Sequence, residues 1–512
     1  MAERQYPEVI DGRVPRFGLA GILAAAAILR YWGLGHGIPY AVNVDEPEIV
    51  ERALNMMRSG SLNPHGFFDY PGLSIYLQFA VSVVHFLAGA ITGHWNSLGQ
   101  VTIPSFYWWG RAFTATVGVA TVFVLFLAAM RWGNRHALLA GGLLAVMPLH
   151  VTYSHYVLTD TPLGFFTAVT LLLSLVAHER NTTRAFVWAG AAAGFAASVK
   201  YNGGIAILMP IVAILMARPD RSSKVVRILL VGAASLVAFL ATAPYTVLDL
   251  PGFLNGFGRL AGEYRNNVVA EPVWLLYIKH LRLTFGMPAL VLAIAGIVIA
   301  AVRSFAGPGR PRWAIPLVFT VVYFFMIAHQ NIVFARYLLP IVPLLCLFAA
   351  CAVVSGVGFL RRFDVARAPR TALVAVLTVA ALLPPAIQAV QFDRMIARRG
   401  TTDMAYEWIV ANMPRGARVT LESRKIVLAP GTFDSRNVKT LLVQPYDAYV
   451  SEGIEYVVAS SQVYGAYFEA PQQYPREYAG YMTLFGQMRE LARYTPDAHH
   501  PGPELRIFKV RP

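Results

Sequence analysis

The chain has 512 residues, 56% of them hydrophobic and only 14% charged, against about 25% charged in an average soluble domain. That excludes an ordinary soluble fold, and repeated apolar runs of roughly 17–25 residues predict a polytopic α-helical membrane protein. The net charge of +15 does not argue for nucleic acid, because the Arg residues gather in short loops between apolar runs, as cytoplasmic loops do. Cys346 and Cys351 are the only cysteines and share one apolar run, so neither a disulfide framework nor a thiolate metal site is implied.

In chain order, Met1–Arg16 is polar and carries Arg4, Arg13 and Arg16. No small-residue cleavage site leads into a soluble domain, so Phe17–Leu34, interrupted by Arg30, is expected to be a retained first helix. The loop holding Asp45 follows, then apolar stretches at Leu73–Thr92 and Tyr107–Met130. The basic loops Arg131–His136, His178–Arg184, Arg218–Arg227, Arg303–Arg312 and Arg361–Arg370 fix the expected topology when all are placed in the cytoplasm. The runs between them then cross in pairs. These are His136–Val151 with Thr161–Ala177, Ala185–Val199 with Ile205–Ala217, Ile228–Val247 with Gly286–Val302, and Trp313–Ala328 with Tyr337–Leu360. Thr371–Phe392 crosses outward last.

The first run goes out and Tyr107–Met130 comes in, so Leu73–Thr92 is expected to be re-entrant or interfacial. It carries Ser74, Gln78, Ser82 and His85 on an apolar background. The expectation is eleven spans, or thirteen if this stretch and a second cryptic one both cross. The N-terminus is then cytoplasmic, in a plasma membrane, and residues 1–392 form a transmembrane domain with a first outer loop at 35–106. Residues 393–512 change character and predict a small extracytoplasmic α/β domain. Thr402–Met413 has helical spacing and is stopped by Pro414-Arg415-Gly416. Arg418–Leu421, Val438–Val443, Tyr456–Ala459 and Leu505–Val510 read as strands, and Tyr478–Arg493 as a helix. The lack of an internal repeat weakens a transporter built from inverted halves.

Asn43-Val44-Asp45-Glu46-Pro47 places two acids just after the first apolar run. One reading is a solvated turn leading into a helix that starts after Pro47. The other is a carboxylate able to take a proton from an acceptor hydroxyl. Asp160, in His155-Tyr156-Val157-Leu158-Thr159-Asp160-Thr161-Pro162, reads as a helix N-cap and falls on the same membrane face as Asp45 in this topology. Two such carboxylates could share a divalent cation (Mg or Mn), or divide the work without one. Lys200 and Arg336 lie on that outer face, where basic residues are unusual. Either they snorkel at the membrane edge or they suit a phosphate or pyrophosphate group. Arg259, Arg265, Lys279 and Arg282 in the long outer loop are weaker candidates of the same kind.

The order of several motifs resembles the GT-C class of membrane glycosyltransferases, in particular the protein O-mannosyltransferase and aminoarabinose-transferase superfamily. The motifs are Val44-Asp45-Glu46-Pro47, Phe68-Asp69-Tyr70-Pro71-Gly72, Arg111, Ser154-His155-Tyr156 through Asp160-Thr161-Pro162, Val199-Lys200-Tyr201, Ala243-Pro244-Tyr245 and Ala335-Arg336-Tyr337-Leu338-Leu339-Pro340. The resemblance implies Asp45 as catalytic base, Glu46 as its neighbour and Asp160 as a second acid. Lys200 and Arg336, with Tyr337, are expected to hold the donor phosphate, and His155, Tyr156, Asp69 and Tyr70 to contact substrate. Related chains often carry His-Pro-Pro or Lys-Pro where this one has Asp69-Tyr70-Pro71-Gly72, so substrate choice is expected to lie there. The expected activity is inverting transfer of a sugar from a polyprenyl-phosphate donor to a hydroxyl of a glycolipid, polysaccharide or protein. A transporter or flippase of lipid-linked saccharides is the other reading. It calls for charged residues deep in several spans, and the spans here hold few.

Overall fold

The computed structural model describes residues 15–38, 45–64, 66–101, 103–218, 221–266, 271–305, 309–360, 367–422, 428 and 431–510. Asn43, Val44, most of the N-terminal polar leader and part of the Arg361–Arg370 loop fall outside them. The chain divides into two compact units. One comprises Met1–Trp32 and Glu48–Phe392, the other Gly33–Pro47 and Asp393–Pro512.

The first unit is helical. It begins with α1 (Arg16–Tyr31), α2 (Pro47–Ser59), α3 (Leu73–Ile91), α4 (Ile103–Ala129), α5 (Asn134–Val146), α6 (Pro148–Tyr153), α7 (Asp160–Arg180), α8 (Thr183–Val199) and α9 (Leu208–Leu215). It continues with α10 (Arg221–Thr242), α11 (Tyr245–Leu248), α12 (Leu250–Asn266), α13 (Val273–Phe285), α14 (Met287–Phe305), α15 (Arg310–Ala328), α16 (Val342–Leu360) and α17 (Arg367–Ile396). Among the described residues seven helices are long and apolar enough to cross a membrane: α3, α4, α7, α10, α14, α15 and the run from Thr371 in α17. The protein is a multi-pass membrane protein. The other expected crossings coincide with shorter helices, such as α1 with 16 residues and α8 with 17. Leu73–Ile91 is one unbroken helix of 19 residues; it does not reverse direction, as a re-entrant segment would, and its length suits a crossing as well as an interfacial lie.

The expected single span His136–Val151 is broken. Pro148 has no N–H to give to the preceding turn, and Met147 is extended between α5 and α6. Arg30, fully buried in α1, repairs the break. Its guanidinium donates to the carbonyls of Ala145 (2.9 Å) and Leu144 (3.0 Å) and lies 2.9 Å from Nδ1 of His150. A cation at the carbonyl end of a helix is also favoured by the helix dipole. The interruption noted at Arg30 in the sequence is thus a built part of the fold.

Helices α7 and α8 form a tight antiparallel hairpin. Asn181 closes α7 in the left-handed region (φ 48°), where Asn is tolerated. The hydroxyl of Thr182 then accepts from the amide of Ala185 to start α8. Against its other neighbour α8 comes very close: a Cβ on Gly190 or Gly194 would lie 2.6 Å and 2.1 Å from the carbonyls of Val231 and Ser235 on α10. Small residues four apart are the usual means by which membrane helices reach such contact.

The second unit contains α18 (Thr401–Asn412), β1 (Arg418–Glu422), β2 (Asp434–Val438), α19 (Tyr446–Ser451), β3 (Tyr456–Ser460), α20 (Ser461–Glu469), α21 (Pro475–Gln487), β4 (Arg489–Tyr494) and β5 (Leu505–Lys509). Strand order is β2-β1-β3-β5-β4, with β2, β1 and β3 parallel and β5 antiparallel to β3 and β4. Alternation along β3 feeds two cores: Val458 joins Ala405 and Ile409 of α18, whereas Val457 joins Tyr449, Tyr481 and Phe485 of α19 and α21. Two expectations are corrected. The strand read at Val438–Val443 is instead Asp434–Val438, followed by a 3-10 turn at Leu441–Val443. The helix read at Tyr478–Arg493 ends at Gln487, and the chain then enters β4.

Candidate active site

The α7–α8 hairpin decides where the charges go. Asp160 opens α7 and Lys200 follows the last residue of α8, so both stand at the same end of the pair. The 3-10 turn Ala335–Leu338, between α15 and α16, adds Arg336 and Tyr337. Lys200 Nζ donates to Asp160 Oδ1 at 2.8 Å, and Arg336 Nε lies 3.4 Å from Oδ2. The Asp160 side chain is 2% exposed, those of Lys200 and Arg336 12% and 14%. The carboxylate is closed in and the cations reach further out. Aromatic faces hold the cations as well. Lys200 Nζ is 4.1 Å from the Tyr337 ring centre, and the Arg336 guanidinium is 4.0 Å from that of Phe334. The Tyr337 hydroxyl in turn shares a 2.6 Å hydrogen bond with Tyr264 of α12. Burial lifts the Tyr264 phenol above its ordinary range, so it stays protonated.

Asp160 was expected as an N-cap and as a metal ligand. It is the first residue of α7 rather than its cap. Each of its oxygens faces a cation, Oδ1 that of Lys200 and Oδ2 that of Arg336, so a divalent cation would have to share the carboxylate with them. Among the described residues no three His, Cys, Asp or Glu side chains converge on a metal position.

His155 is fully buried, its ring nitrogens 2.9 Å and 3.0 Å from the carbonyls of Val151 and Trp32. It fixes the turn before α7 and presents no open face to a substrate. Tyr156 is half-buried, with the buried Arg111 of α4 5.8 Å from its ring centre. Tyr70 packs edge-on to Phe67. Asp69 is ion-paired to Arg259 of α12. Burial raises its pKa, and Arg259 pulls it part of the way back. Asp45 and Glu46 belong to the second unit; Asp45 is half-buried and Glu46 buried.

Residues that sequence reasoning missed come from α12. Besides Tyr264 they include Phe253, which meets Phe68 edge-on at 5.8 Å, and Gly256, where a Cβ would come within 2.9 Å of the Phe68 side chain. Tyr201, beside Lys200, donates to the Phe68 carbonyl at 3.0 Å. The available signal for Phe253 was its four-residue spacing from a second aromatic, Phe257, in the outer loop.

A family profile described as dolichyl-phosphate-mannose-protein mannosyltransferase matches residues 104–247, a stretch that contains Arg111, Asp160 and Lys200. The fold resembles the aminoarabinose transferase ArnT from Cupriavidus metallidurans in its apo state. The TM-score is 0.56 at 16% identity, covering 97% of this chain and 98% of that one. The profile covers part of the helical unit, and the likeness to ArnT runs over nearly the whole chain. The same ArnT bound to undecaprenyl phosphate matches this chain with a TM-score of 0.53 at 18% identity, over 96% and 98% of the two chains. The Archaeoglobus fulgidus oligosaccharyltransferase in complex with Zn and sulfate matches with 0.55 at 14% identity, over 95% of this chain and 72% of that one. At these identities the likeness to solved structures is one of fold. No curated protein matches in sequence.

Proposed function

We propose that this protein is a GT-C glycosyltransferase that transfers a sugar from a polyprenyl-phosphate donor to a hydroxyl acceptor, with inversion, on the extracytoplasmic face of the plasma membrane. The observation that carries the reading is the pair of cations mounted on Asp160 beside Tyr337. A charge-neutral carrier site would not need two partly buried cations, and a phosphate leaving group does. The undecaprenyl phosphate bound by the ArnT structure is a ligand of this class. Asp160 orients Lys200 and Arg336; those two take up the negative charge that grows on the donor phosphate as its bond to the anomeric carbon breaks. The acceptor oxygen forms the new bond to that carbon, and its proton passes to Asp45, the base that the family resemblance names, with Glu46 beside it. Polyprenyl phosphate is released. The cations do at the phosphate what a divalent ion does elsewhere, so no step is assigned to Mg or Mn. Residues 1–392 supply the catalytic domain and 393–512 the outer tail.

The test is release of polyprenyl phosphate by the purified full-length protein given a polyprenyl-phosphate hexose and a hydroxyl acceptor. General-base help amounts to about 10²–10⁴-fold, so Asp45→Asn is expected to lose that much turnover while staying inserted. Near wild-type transfer by this variant removes Asp45 as the base.

A further inference from the structure

Tyr264 has no place in the family motifs, yet it touches the cation site. It lies on α12, a helix of 17 residues tied down along its length. At its start the Asp249 carboxylate accepts from the amide of Gly252 (3.1 Å). Phe253 and Gly256 seat Phe68, and Arg259 pairs with Asp69. Near its end the Asn331 side chain donates to the carbonyl of Arg265 at 3.2 Å. Helix α12 is thus capped at its start and held by Asn331 near its end, and Tyr264 projects from a regular helix rather than from a loop.

From this mount its hydroxyl meets that of Tyr337 at 2.6 Å. Tyr337 is 5% exposed, and its ring face lies 4.1 Å from the Lys200 ammonium. A lysine stem has four rotatable carbons, so its charge goes where its contacts put it. Asp160 fixes one direction of the ammonium and the Tyr337 face fixes a second. Two contacts at different angles define a position that either alone would leave open.

We propose that Tyr264 is a positioning residue: it holds the Tyr337 ring, the ring holds the Lys200 ammonium, and this sets where the ammonium meets the donor phosphate. The inference rests on the phosphate-binding reading of Lys200. It adds a residue outside the span helices to that site. It also makes a specific claim about route, because Tyr264 acts only through Tyr337 and Lys200.

The experiment measures the affinity of full-length protein in lipid nanodiscs for undecaprenyl phosphate. The proteins compared are wild type, Tyr264→Phe, Tyr337→Phe, the double variant, Lys200→Met, and Lys200→Met combined with Tyr264→Phe. Tyr264→Phe is expected to weaken binding roughly fivefold, the size of one lost hydrogen bond. Tyr337→Phe should match it, and the double variant should be no worse than either, since all three remove the same contact. In the Lys200→Met background Tyr264→Phe should change nothing further. A general structural defect would instead add its penalty in every background. Wild-type affinity in Tyr264→Phe, additive losses in the double variant, or a full Tyr264 effect without Lys200 each overturn the inference. If Lys200→Met weakens binding while Tyr264→Phe does not, only the positioning role falls. If Lys200→Met itself binds normally, the phosphate site falls with it.

Discussion

Asp160 in the first unit and Glu422 in the second are both buried carboxylates, 2% and 3% exposed, and they are satisfied in opposite ways. Asp160 is met by two cations. Glu422, at the end of β1, is met by neutral donors: the amides of Leu441 (2.8 Å) and Ser460 (3.0 Å), and the hydroxyl of Tyr481. Burial raises the Glu422 pKa above the usual range, and those three donors lower it only in part. An acid surrounded by neutral donors pins strands and loops together. An acid surrounded by cations organises charge, and the charge it organises is then available to something else. Burial alone does not mark a functional carboxylate; the identity of its partners does.

The largest expected effect is at Asp160. Asp160→Asn leaves two partly buried cations without their counter-charge, a change that typically costs about 3–5 kcal/mol. Transfer should fall by roughly 10²-fold or more, and the melting temperature should drop as well. Adding Lys200→Met should recover part of the melting temperature and none of the activity. Recovery of activity would erase the distinction drawn between the two acids.

Glu422→Gln is expected to leave transfer intact and to weaken the second unit by about 1–3 kcal/mol, because one accepting oxygen becomes a donor. Its pH behaviour is the sharper test. Because the folded pKa lies above the unfolded one, protonation favours the fold. That contribution is present in full below about 4.5 and is lost as pH rises through the raised folded value. Urea resistance of the second unit, read by proteolysis of the full-length protein, should therefore decline over that rise in wild type and less so in Glu422→Gln. A wild type insensitive to pH there would mean that Glu422 is held as an anion after all.

The smallest effect belongs to Arg259→Ala. Its pair with Asp69 is exposed on the Arg side, at 54%, and such pairs contribute about 0–1 kcal/mol. Thermal stability should barely move. A loss on the scale of Asp160→Asn would show that exposure is no guide to which charges matter here.

Much of this was legible in the sequence, and the reasons differ by region. The spans were readable because apolar runs in lipid must satisfy their own backbone, and each predicted run coincides with one or two helices. The α5–α6 break was missed although Pro148 stands in plain view, because what makes the break tolerable is Arg30, more than a hundred residues away. Strand β2 was misplaced because Asp434-Ser435-Arg436-Asn437-Val438 pairs only with β1 in the sheet order and so needs no apolar alternation. Strand β4 was absorbed into a helix because Leu484 and Phe485 carry the helical pattern up to its edge. Asp160, Lys200, Arg336 and Tyr337, which the structure brings together, were singled out from position and motif order. Tyr264 was not, since its meaning comes from one long-range hydroxyl contact that no local pattern encodes.

Arg30 has a consequence for how the protein is made. A cation within the first apolar helix is poorly suited to lipid when that helix leaves the translocon alone. Its carbonyl partners on α5 are synthesised more than a hundred residues later. Until they arrive, α1 must stay near water, headgroups or the insertion machinery. Its final seating is therefore a late event in biogenesis, completed only when the broken α5–α6 segment folds back over it.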